Sequence, residues 1–112
     1  MSRDVSLYLN DILASGRAIQ RYLCNTSYED FLADRMRQSA VIREFEIIGE
    51  AVSKLPDDLK GREKDIPWQD IKDFRNLLVH EYFGVDLLIV WKVVEEDLSP
   101  LLAAVERLVN NR

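Results

Sequence analysis

Glycine and proline are scarce, at four and three in 112 residues, and few breakers interrupt the chain. Alternating strand patterns are rare as well, so a β architecture is excluded and helical periodicity dominates. A single cysteine, Cys24, leaves no intrachain disulfide and fits a reducing compartment. A single histidine, His80, leaves a diiron bundle without the Glu-x-x-His pairs it needs. Positive charge is in deficit: 15 Lys and Arg stand against 20 Asp and Glu, for a formal charge of -5. That argues against a broad, non-specific nucleic-acid surface, which needs clustered cations. It leaves room for a small positive cleft or a basic protein partner. Long apolar runs are absent too. Leu87-Leu88-Ile89-Val90-Trp91 meets Lys92 at once and is too short to span a bilayer. The opening MSRDVSLYLNDI is amphipathic and shows no signal peptide, so the cytoplasm is the expected compartment and no membrane is involved.

What is present is core-forming material. A 47% hydrophobic content suits one folded domain over residues 1–112. Val5, Leu9, Ile12, Leu13, Ile19 and Leu23 mark the apolar stripe of a first helix. Asn25, Thr26 and Ser27 break it, and Ser27 with Asp30 makes a helix start. A second, longer helix is predicted from about Asp34 to Leu55, with Met36, Ala40, Val41, Phe45, Ile48, Ala51, Val52 and Leu55 on its stripe. Pro56 closes it, and Asp57 to Asp65 reads as polar and irregular. A third helix opens near Pro67, repeats at Trp68, Ile71, Phe74 or Arg75, and Leu78, and ends by Gly84. Asp86 caps a fourth, carrying Leu87, Val90, Trp91 and Val94. Ser99-Pro100 starts a fifth or bends the fourth, and Leu101, Leu102, Val105, Leu108 and Val109 complete the core. The expected fold is all-α, an antiparallel up-down bundle of four main helices with an additional short or bent C-terminal helix.

The polar residues Arg75, Asn76, His80 and Tyr82 stand inside the apolar third helix. At about 100° per residue, Asn76 and His80 stack on one side, while Arg75 and His80 occupy adjoining faces. One helix therefore cannot close a site from them. A symmetric dimer would bring two copies of the stretch into one cleft. A neutral histidine can take the proton of a ribose 2'-hydroxyl, and an arginine can hold phosphate oxygens through two parallel hydrogen bonds. Asn76 could orient either group, and no metal is required. Structural roles stand beside each of these. His80 near a helix C-terminus gains from the dipole alone, and Arg75 could simply pair with Asp73 or Glu81. Trp68 and Trp91 read as core anchors, and Gly49 as a point of close helix approach. Glu46 and Glu50 share a face, and Lys60, Arg62 and Lys64 suit a solvated loop.

The combination of Arg75, a four-residue gap, His80 and Tyr82 resembles the Arg-x4-His-x-Tyr motif of HepT-like proteins, within the HEPN superfamily of helical ribonucleases. Trp68, Ile71, Asn76, Val79, Glu81, Asp86, Ile89 and Trp91 fit the central pattern of that family, and Ile47-Ile48-Gly49-Glu50-Ala51 fits its earlier signature. The resemblance spans almost the whole chain and implies an HEPN-like bundle. It implies a homodimer with a shared cleft and metal-independent cleavage of RNA, with Arg75 and His80 catalytic and Asn76 in support. It further implies a toxin of a type VII toxin–antitoxin pair. Its partner would be a minimal nucleotidyltransferase antitoxin that transfers AMP to Tyr82. No resident cofactor is expected. A non-catalytic helical module that binds a nucleotidyltransferase is the alternative.

Overall fold

Seven helices and no strand make up the described residues, 4–80 and 84–111, of the computed structural model. They are α1 (Val5–Tyr22), α2 (Tyr28–Leu32), α3 (Arg35–Ser53), α4 (Asp57–Lys60), α5 (Trp68–His80), α6 (Leu87–Glu96) and α7 (Leu98–Asn110). Short acidic and hydroxyl side chains start several of them. Asp4, Asp34 and Asp86 accept hydrogen bonds from the amides of Ser6, Arg37 and Leu88 at 2.8, 3.0 and 2.9 Å. Ser27 and Asp30 form a reciprocal capping box at α2, as their spacing predicts. Between α1 and α2, Asn25 takes the left-handed conformation (φ 58°), which a short polar side chain tolerates better than most.

α1 packs on α3 and α7, α3 also carries α5, and α6 packs on α7. One apolar cluster joins them. It is built on Leu9, Ile12 and Ile19 of α1, Val41, Ile48 and Val52 of α3, Leu78 of α5, Val90 of α6 and Val105 of α7. Each such side chain contributes about 1.5–3 kcal/mol on burial. Phe31 fixes the short α2 to this core and meets the Trp91 ring at 5.5 Å. Gly16 lets α1 lie directly against Leu102 of α7, where a Cβ would overlap that side chain.

Several expectations shift. Met36 is 78% exposed and lies off the buried stripe. Val109, at the far end of α7, is likewise exposed. The polar stretch after Pro56 contains a helical turn, α4, seated by buried Leu59. The C-terminal break falls at Asp97, and Ser99-Pro100 lies inside the first turn of α7. A proline there loses no intrahelical hydrogen bond, so it need not mark the boundary. Trp68 and Trp91 are half-buried and pack against the core from its edge. No described helix is long and apolar enough to cross a membrane.

Candidate active site

α5 is anchored before it presents anything polar. The Trp68 indole Nε1 donates to the carbonyls of Lys60 and Glu63, both at 3.1 Å, which fixes the start of the helix to the α4 loop. Arg62 of that loop serves the same framework, donating to the Asn111 carbonyl at 2.7 Å. Ile71 and Phe74 then pack on the core, Phe74 edge-on to Phe45 at 5.3 Å, and Leu78 is fully buried. This stripe sets the rotation of the helix. Arg75, one position beyond Phe74, consequently emerges at the edge that meets α3.

Gly49 decides how close that meeting is. A Cβ on Gly49 would overlap Cβ and Cγ of Arg75, so the arginine stem lies directly on the glycine backbone. The guanidinium is then held from two sides. Nη2 donates to Glu50 Oε2 at 3.1 Å, and Nη1 donates to Asn76 Oδ1 at 3.0 Å. Arg75 Nε is the one buried side-chain polar atom without a partner among the described residues. The Arg75 and Glu50 side chains are 32% and 53% exposed, so the ion pair contributes at most about 1 kcal/mol to stability. Its larger effect is to orient the fork.

The expected pairing of Arg75 with Asp73 is thus corrected. Asp73 instead accepts from Gln69 at 2.9 Å, and Glu81 lies outside the described residues. A helix neighbour was the natural guess. The carboxylate partner of Arg75 is 25 residues away in sequence, brought in by the α3–α5 crossing.

His80 is the last described residue of α5 and is exposed. Five residues separate it from Arg75, about 7.5 Å along the axis and a large turn around it. The structure therefore joins Arg75 to Asn76 and leaves His80 apart, with nothing within the described chain bridging them. Tyr82 lies outside the described residues.

Arg75 also reaches a polar groove of about 280 Å³ between α1, α3 and α5, with Tyr8, Arg43, Glu46, Ile47 and Glu50 on its walls. Sequence reasoning missed Tyr8 and Arg43 and placed Glu46 and Glu50 only on a shared face. A larger groove of about 470 Å³ has mainly apolar walls, among them Phe45, Ile71, Phe74 and Leu101, and excludes Arg75, Asn76 and His80. It is a seam over the core. Partial burial there, reinforced by Glu96 and Asp70, pushes the Asp97 carboxyl above its ordinary range. Among the described residues no group of three or more His, Cys, Asp or Glu could hold a metal ion.

The ribonuclease HepT-like family profile matches residues 12–108. The chain belongs to that family. It is 42% identical over 108 residues to "Probable ribonuclease HepT" of Thermococcus cleftensis, covering 96% of this chain and 98% of that protein. It is 38% identical over 104 residues to "Putative RNase MJ1380" of Methanocaldococcus jannaschii, covering 93% and 95%. A third relative, "Gamma-glutamylcyclotransferase and putative RNase MJ0434" of M. jannaschii, is 42% identical over 101 residues; the match covers 90% of this chain but only 46% of that protein. No solved structure matches the chain. Membership agrees with the all-α, HEPN-like bundle of this HepT-family chain.

Proposed function

We propose that this HepT-family domain, residues 1–112, is a metal-independent endoribonuclease that acts as a homodimer. The observation that carries the reading is the held guanidinium of Arg75, fixed by Glu50 and Asn76 on the same helix that exposes His80. Arg75 binds the non-bridging oxygens of the scissile phosphate and keeps its charge as negative charge builds on them. His80 takes the proton from the ribose 2'-hydroxyl. The 2'-oxygen attacks phosphorus, the bond to the 5'-oxygen breaks, and the leaving oxygen receives a proton from the partner subunit's His80. The products are a 2',3'-cyclic phosphate and a 5'-hydroxyl. A second protomer is needed because one α5 separates its own Arg75 and His80.

The dimer has a candidate surface beside the motif. Leu77, Val79, Leu88 and Ile89 are large apolar side chains left 40–44% exposed on the end of α5 and the start of α6. Large apolar side chains left exposed near one another can mark an association site.

Regulation follows from chemistry at Tyr82. In this reading the protein is a toxin, and a minimal nucleotidyltransferase antitoxin neutralises it. The tyrosine oxygen attacks the α-phosphorus of ATP and displaces pyrophosphate. The added AMP is bulky and negative, and two residues from His80 it repels RNA phosphate.

The test is cleavage of RNA by purified protein in EDTA. H80A should lose about 10²–10⁴-fold in rate while remaining folded. A wild-type rate in H80A would sink the mechanism and leave a non-catalytic module that binds a nucleotidyltransferase. Coexpression with the partner and ATP should add AMP mass to the wild type and none to Y82F.

A further inference from the structure

We propose that the groove between α1, α3 and α5 is a base-recognition pocket that selects guanine in the RNA at the cleavage site. The inference rests on the ribonuclease reading, because it takes Arg75 as the phosphate anchor. Arg75 lines the groove itself. A phosphate held on its guanidinium therefore places the base of the same or the adjoining nucleotide at the groove mouth.

The wall chemistry favours a base over a second phosphate. Asp11, Glu46 and Glu50 supply three carboxylates against the two guanidiniums of Arg43 and Arg75. The Glu46 carboxylate disfavours an anion beside it, while Arg75 can hold one on its guanidinium. Glu50 is already engaged by Arg75. Glu46 is half-buried, and no other side chain among the described residues pairs with it or with Arg43. The fold thus places a carboxylate in the groove without using it.

A carboxylate is an acceptor with two oxygens side by side. Guanine alone presents two adjacent donors on its Watson–Crick edge, N1–H and the N2 amino group. In adenine and cytosine the amino group is flanked by an acceptor ring nitrogen, and in uracil the single N–H lies between two carbonyls. Each of those would set an acceptor against the carboxylate. Tyr8 and Ile47 supply flat and apolar wall beside Glu46. Unstacked RNA bases are held in this way, by stacking on an aromatic face with hydrogen bonds to the Watson–Crick edge. Glu46 is therefore a specificity residue, distinct from the Arg75–His80 machinery.

The experiment uses the full-length protein in EDTA and four labelled uridine-rich oligonucleotides that differ at one position, G, A, C or U. Cleavage beside G should exceed the others by about tenfold or more, the scale of one bidentate contact. Replacing G by inosine, which lacks the N2 amino group, should remove most of that preference. E46Q should lower the guanosine-to-uridine rate ratio by about tenfold while its circular dichroism stays that of the wild type. In parallel, GMP but not UMP should shift the amide resonances of Glu46 and Ile47 in H80A. Equal cleavage at all four bases, or a preference untouched by inosine and E46Q, overturns the pocket but leaves the ribonuclease intact. Absence of His80-dependent cleavage overturns the ribonuclease reading. GMP binding at Glu46 would then still support the pocket, and its absence would remove both.

Discussion

Gly49 of α3 supports the stem of Arg75 on α5, and the next residue, Glu50, accepts from its Nη2 at 3.1 Å. The glycine and the carboxylate act together. One admits the stem, and the other fixes the head. Gly49→Ala should therefore do more than its single methyl suggests. Overpacking costs about 1–3 kcal/mol, against a gain of up to about 1 kcal/mol in helix propensity. The expected outcome is a lower Tm together with a loss of RNA cleavage, because the guanidinium is displaced. Glu50→Gln keeps an acceptor oxygen and should change stability by less than about 1 kcal/mol, since the pair is partly exposed. Its cleavage rate should fall without a matching fall in Tm. Denaturation and cleavage measured on the same preparations separate the two.

Leu77 and Leu88 test the dimer. Both are 41% exposed, so a charge at either position leaves the core unchanged. The L77D/L88D variant should elute as a monomer in size-exclusion chromatography with light scattering. It should also cleave RNA far more slowly at equal protomer concentration. A dimer with the wild-type rate would place the interface elsewhere.

Leu78 and His80 separate folding from chemistry on one helix. Leu78 is fully buried in the shared core. Leu78→Ala should cost about 2–5 kcal/mol, a large part of the roughly 5–15 kcal/mol typical of a domain. Its Tm should drop by roughly 8 °C or more. His80→Ala, at an exposed position, should stay within about 0.5 kcal/mol of the wild type. Thermal unfolding of both variants checks the contrast.

Acid should act on the fold through three named carboxyls, with opposite signs. The hydrogen bonds from Arg107 hold the Glu63 carboxyl below its ordinary range, and the Arg37 amide does the same for Asp34. Both groups have a lower pKa folded than unfolded. Their stabilisation is complete above the unfolded value of about 4 and is lost as pH falls through the folded one. Asp97 has the opposite sign, because burial raises its carboxyl. E63Q should thus lower Tm at pH 7, with the difference closing below about pH 4. D97N should raise Tm at pH 7, and that gain should vanish as wild-type Asp97 protonates. Thermal scans across pH 3–7 read both.

Much of the fold was legible because its signals are local. The Ser27–Asp30 box, the Asp86 cap and the stripe at Trp68, Ile71 and Leu78 each act within a few residues. Gly49 as a close-approach point was legible too, since a lone glycine between apolar helix residues has few other uses. Met36 and Val109 were misplaced because periodicity reports a face but not which of its positions another element covers. The boundary at Asp97 was missed because a proline within the first turn resembles one that starts it.

The sequence by itself determined the helices, their caps and the spacing of Arg75, Asn76 and His80 along one of them. These depend on backbone hydrogen bonds and on which side chains repeat every three or four residues. Only the tertiary structure decided that Glu50, and not Asp73, holds Arg75. It also decided that Tyr8, Arg43 and Glu46 share a groove with that arginine. Those pairings depend on where two helices cross. The crossing is set by packing of the whole core and leaves no mark in the spacing of either segment.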